Sequence, residues 1–96
     1  MIRNQVLQIL NNHRSALENL GVKSLAVFGS TARGEAGPES DVDILVEFVR
    51  PVGLFEFLDL KQYLEDLLKC KIDLGTFSSL KPRIRERVLK EAVYVS

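Results

Sequence analysis

Asp41 and Asp43 stand two residues apart in a stretch whose apolar and polar residues alternate from Asp41 to Phe48. Alternation of that period predicts a strand, with Val42, Ile44, Val46 and Phe48 on one face. Asp41, Asp43, Leu45 and Glu47 fall on the other face. The two aspartates therefore share a side, about 6.6 Å apart along the chain. Asp73 sits between Ile72 and Leu74 in a later apolar alternation, Lys71 to Thr76. A strand there would let its carboxylate converge on the other two. Three gathered carboxylates repel one another until a cation neutralises them. An all-oxygen donor set suits magnesium, or manganese by the same logic. Two such ions can activate an attacking oxygen and stabilise a leaving one during in-line phosphoryl displacement.

Upstream of the aspartates lies a matching phosphate grip. The segment from Gly29 to Asp43 reads GSTARGEAGPESDVD. Gly29 would end a strand with no side chain in the way, so a phosphate can approach the backbone. Ser30 offers a hydroxyl and an amide N–H at the start of the next turn. Arg33, one helical turn later, can present a bidentate fork to the same phosphates. Taken singly, Gly29 could merely close a strand and Ser30 could merely cap a helix. Asp43 resists such a reading, because aspartate is disfavoured inside strands and a second one on the same face adds repulsion. Gly-Ser, ten residues and Asp-x-Asp together arise by chance on the order of once in a thousand chains of this length. The motif therefore counts as a signal.

The elements that must hold these residues follow from hydrophobic periodicity. Ile2, Val6, Ile9, His13, Leu17 and Leu20 recur at steps of three and four, predicting a first helix ended by Gly21. Ser24 to Phe28 reads as a buried strand, followed by a short helix within Ser-Thr-Ala-Arg-Gly and a Gly-Pro loop. After the turn Arg50–Gly53, Leu54 to Cys70 predicts a helix with Leu54, Phe57, Leu60, Leu64 and Leu67 along its stripe, broadened by Phe55, Leu58 and Leu68. Ser78 or Ser79 could cap a last helix bearing Leu80, Ile84, Val88 and Ala92, with Pro82 in its first turn. The order α-β-α-β-α-β-α predicts an α/β (α+β) layered fold, a small mixed sheet of about three strands flanked by helices.

Length and composition bound the function. The chain has 96 residues, so residues 1–96 are expected to form one domain. Its 13 basic and 13 acidic residues cancel, which argues against a dedicated nucleic-acid surface. No apolar run approaches the ~20 residues of a membrane span. A single cysteine, Cys70, excludes an internal disulfide and fits a reducing, cytoplasmic compartment. Glu39 and Glu47 read as solvated, His13 as a packed structural residue and Cys70 as a half-buried spacer. The series Lys81, Arg83, Arg85, Arg87 and Lys90 reads as a solvated helix face, with docking of an acidic partner as the second reading.

The motif resembles the signature of the nucleotidyltransferase superfamily that includes DNA polymerase beta. In size and order the chain is similar to the minimal nucleotidyltransferases, the MNT-type antitoxins encoded beside HEPN-domain toxins. The resemblance spans nearly the whole chain. It implies that Asp41 and Asp43 bind both catalytic metals, that Asp73 helps to bind one and activates the acceptor hydroxyl, and that Gly29, Ser30 and Arg33 hold the triphosphate of ATP. It also implies a HEPN-domain toxin as acceptor and complex partner, within a homo- or hetero-oligomer. The expected reaction transfers AMP from ATP to a hydroxyl of that toxin, a tyrosine, and neutralises it. Two alternatives stand beside it: a catalytically silent antitoxin that acts by complex formation, and nucleotidyl transfer to a small molecule such as an antibiotic. The short chain favours a protein acceptor, since it carries no second lobe to enclose a drug.

Overall fold

The computed structural model describes residues 3–28 and 42–95. Its elements are α1 (Arg3–Asn12), α2 (Arg14–Asn19), β1 (Val22–Phe28), β2 (Val42–Phe48), α3 (Leu54–Leu68), β3 (Ile72–Thr76), a single 3-10 turn (Phe77–Ser79), α4 (Pro82–Glu91) and β4 (Val93–Tyr94). The strands form one mixed sheet in the order β3-β2-β1-β4. β1 runs antiparallel to both of its neighbours, β2 and β4, and β2 runs parallel to β3. The short helix expected within Ser-Thr-Ala-Arg-Gly falls outside the described residues.

One face of the sheet is dry. Leu25 and Val27 of β1, Val42, Ile44 and Val46 of β2, and Ile72 and Leu74 of β3 pack against Val6, Leu10 and Leu17 of the first two helices and Leu60, Leu64 and Leu68 of α3. Burial of each such side chain contributes about 1.5–3 kcal/mol, and this layer holds the strands in register. The i, i+4, i+8 spacing of Leu60, Leu64 and Leu68 keeps all three on the buried side of α3. Ala26 and Leu45, register partners on the opposite face, are also buried. The carboxylate-bearing face is thus covered along part of its length. Phe77 and Tyr94 stack there with ring centroids 6.0 Å apart.

Three expectations are corrected. The first helix is broken at His13, which is exposed rather than packed. Its backbone N–H turns to the carbonyl of Leu10 at 3.2 Å, three residues back, while its ring Nδ1 meets the carbonyl of Ile9 at 2.9 Å. The side chain satisfies the carbonyl that the next helical bond would have used, so the helix ends and a new one starts. Ser78 and Ser79 do not cap α4; they lie in the 3-10 turn, where Ser79 Oγ donates to the carbonyl of Thr76 at 2.7 Å. α4 starts at Pro82 with Lys81 at its cap position. Finally, the sheet has a fourth strand, since Val93 and Tyr94 add to the free edge of β1.

Candidate active site

Antiparallel pairing puts the end of β1 beside the start of β2, and parallel pairing puts the start of β3 there too. Phe28, Asp43 and Asp73 consequently form one row across the sheet, with Phe28 opposite Asp43 and Asp43 opposite Asp73. Adjacent strands lie about 4.8 Å apart, so the two aspartates are nearest neighbours on one face. Asp43 is half-buried and Asp73 is exposed. The flanking residues Val42, Ile44, Ile72 and Leu74 are buried on the other face, which fixes the direction of both carboxylates by alternation.

Two hydrogen bonds hold this corner. The N–H of Val42 donates to the carbonyl of Lys71 at 3.0 Å, joining the residues just ahead of the two aspartates. The N–H of Ile72 donates to the carboxylate of Glu65 at 3.3 Å, tying the start of β3 to the last turns of α3. Sequence reasoning missed Glu65, because a glutamate on a helix beside lysines and aspartates reads as part of a solvated face. Lys69 ends the same helix in the left-handed region (φ 56°, ψ 40°), and its N–H donates to the carbonyl of Glu65 at 2.8 Å. α3 therefore stops abruptly and the chain reverses into β3.

Gly29, Ser30, Arg33 and Asp41 lie outside the described residues. In sequence, Gly29 follows Phe28 and Asp41 precedes Val42, so the Gly-Ser-x10-Asp segment joins β1 to β2, two of the three strands that carry the row. Among the described residues no three His, Cys, Asp or Glu side chains gather to hold a metal. Asp43 and Asp73 supply two of the three carboxylates expected for one. Their donor set, oxygen alone with no histidine or cysteine beside it in the row, fits a hard divalent cation.

A family model for the nucleotidyltransferase domain matches residues 10–95. The chain belongs to the nucleotidyltransferase domain family. It is an enzyme of the nucleotidyltransferase type. Among this nucleotidyltransferase's relatives, the protein adenylyltransferase MntA of Thermococcus cleftensis is 48% identical over 92 residues, covering 95% of this chain and 93% of that protein. A solved structure of a candidate minimal nucleotidyltransferase superposes with a TM-score of 0.83 at 38% identity, covering 97% of this chain and 95% of the other. A tri-AMPylated Shewanella oneidensis HEPN toxin in complex with an MNT antitoxin matches with a TM-score of 0.66 at 19% identity, covering 94% of this chain and 71% of that one. That last likeness concerns the fold alone. The mixed sheet flanked by helices is thus the minimal nucleotidyltransferase fold.

Proposed function

We propose that this nucleotidyltransferase moves AMP from ATP to a tyrosine hydroxyl of a HEPN-domain toxin and thereby neutralises it, acting as one domain over residues 1–96. The observation that carries this reading is the register pair Asp43–Asp73 at the sheet end that the Gly-Ser-x10-Asp segment joins. The identity of 48% to a protein adenylyltransferase supports AMP as the group and a protein as the acceptor.

In this reading Asp41, Asp43 and Asp73 hold magnesium, with ATP as the substrate. Bound there, divalent metal would polarise the α-phosphate and favour the ionised acceptor hydroxyl. Gly29 leaves the backbone open to the triphosphate, and the hydroxyl and N–H of Ser30 and the guanidinium of Arg33 grip its oxygens. Asp73, the exposed member of the pair, takes the proton of the acceptor tyrosine. The tyrosine oxygen attacks the α-phosphorus, the bond from that phosphorus to the bridging oxygen breaks, and pyrophosphate leaves with the electron pair. The buried rows on either side of Asp43 keep the carboxylates fixed while the charge redistributes.

Incubating the protein with ATP, magnesium and a HEPN-domain protein from the same genome tests this, with intact mass as the readout. Covalent AMP on the HEPN protein, absent with Asp43→Ala, is expected. A HEPN protein that stays unmodified while still being neutralised would overturn the reading in favour of a silent antitoxin.

A further inference from the structure

The two aspartates of the row are not held alike. Asp43 lies on β2, which pairs with β1 on one side and with β3 on the other. Asp73 lies on β3, an outer strand of the sheet, with a strand partner on one side alone. The carbonyl of Lys71 faces β2, where it accepts the N–H of Val42 at 3.0 Å. Backbone groups of successive strand residues point to opposite sides, so those of Ile72 face the open edge. An N–H there has no ladder to join, and a strand end held from one side opens more readily.

Glu65 fills that place. Its carboxylate accepts the N–H of Ile72 at 3.3 Å. Its backbone carbonyl accepts the N–H of Lys69 at 2.8 Å, where the chain leaves α3. Both ends of the α3–β3 turn are therefore tied to one residue. Lys61 and Lys69 stand four residues to either side of Glu65, the spacing of a surface ion pair. Neither pairs with it among the described residues. The carboxylate belongs to a half-buried residue and goes instead to the backbone of Ile72, whose side chain is buried. Bonds from a backbone N–H to an ionised carboxylate are stronger than those between neutral groups.

We propose that Glu65 is a positioning residue for Asp73. It stands in for the missing strand on the outer side of β3 and so sets where the Asp73 carboxylate meets metal and nucleotide. The proposal rests on the reading that Asp43 and Asp73 belong to that site. Glu65 acts through the backbone one residue ahead of Asp73 and takes no part in the ligand set. What it supplies is an acceptor oxygen, which glutamine also carries. Methionine keeps an unbranched stem and a good helix propensity but brings no oxygen. Groups that support a metal ligand from behind are worth about 10–100-fold in affinity.

Titration calorimetry of the full chain with magnesium and α,β-methylene ATP, which resists cleavage beside the α-phosphate, tests this. Thermal melts set a temperature at which every variant is folded. Glu65→Met is expected to weaken binding about tenfold or more. Glu65→Gln should stay within about twofold of the wild type, and Glu65→Met added to Asp73→Asn should change affinity by less than about twofold, because the group it positions is gone. Wild-type affinity in Glu65→Met overturns the proposal. An equal loss in Glu65→Gln does so too, by making the charge of Glu65 part of the site. So does a full further loss when Glu65→Met is added to Asp73→Asn, which makes the residue merely structural. Asp73→Asn alone should weaken binding if Asp73 serves the site. Affinity equal to the wild type in that variant, or no binding by either, removes the reading of the site and the proposal with it.

Discussion

Asp43 of β2 and Asp73 of β3 are register partners in a parallel pair, pointing to the same side of the sheet from its same end. Two carboxylates so placed add nothing to the hydrophobic layer beneath them and repel each other above it. The fold fixes the pair through buried neighbours on both strands, and in the proposed function its role is to bind the metal and nucleotide.

Replacing Asp73 separates chemistry from stability. Its side chain is exposed, so Asp73→Asn should change unfolding free energy by no more than about 0.5 kcal/mol. Loss of a positioned proton acceptor should lower AMP transfer by roughly 100-fold or more. Urea unfolding and a transfer time course, run on the same preparation, check both halves. A fall in stability that matches the fall in activity would make Asp73 structural.

Chelation should stop transfer, and added magnesium should restore it. Magnesium with ATP should also raise the melting temperature, because a ligand that binds only the folded state stabilises it. The double variant Asp43→Asn/Asp73→Asn should melt at one temperature with or without them. An equal shift in that variant would place nucleotide binding elsewhere.

Two glycines should respond oppositely to alanine. Gly21 has φ +87°, a conformation that alanine resists, so Gly21→Ala should destabilise by more than about 1 kcal/mol. Gly75 lies in β3, and a Cβ there would sit 3.7 Å from Leu45 Cδ2 and from Ser79 Oγ, at ordinary contact distance. Gly75→Ala should be neutral or stabilise by up to about 1 kcal/mol. Chemical denaturation of the two variants decides it.

Lys69 is the one non-glycine residue with positive φ among the described residues. A lysine Cβ is strained there, and glycine removes the strain. Lys69→Gly should stabilise by about 0.5–1 kcal/mol, the gain being limited by the freer unfolded chain. A thermal melt should move upward by several degrees.

Much of this was legible in the sequence. The alternation of Val42, Ile44 and Val46 against Asp43 placed β2 and its dry face, and the glycine at position 21 marked the end of the N-terminal helical region. Asp73 was placed on a strand by Ile72 and Leu74 alone, and the sheet order then set it beside Asp43. Other features left no local trace. β4 is two residues long, too short for any period, and exists because β1 has a free edge to pair with. The break at His13 depends on where an imidazole points, and apolar spacing runs through it unchanged. Leu54 and Phe55 continue the stripe of α3 by pattern, but the sheet ends before it can cover them. Leu45 sits on the polar face by alternation and is buried all the same, with Gly75 of β3 and Ala26 of β1 as its register partners. Packing between distant elements decided all of these but the break at His13, which a bond from its own ring to the carbonyl of Ile9 decided.

The central claim is that the Asp43–Asp73 corner transfers an adenylyl group and not a phosphoryl group. Parallel reactions with ATP labelled at the α-phosphate or at the γ-phosphate test it most directly, with magnesium and a HEPN-domain protein from the same genome present. Label is expected on the HEPN protein from the α position only, with γ label released as pyrophosphate, and neither transfer with Asp43→Asn. Label on the protein from the γ position, or α label undiminished in Asp43→Asn, would contradict it.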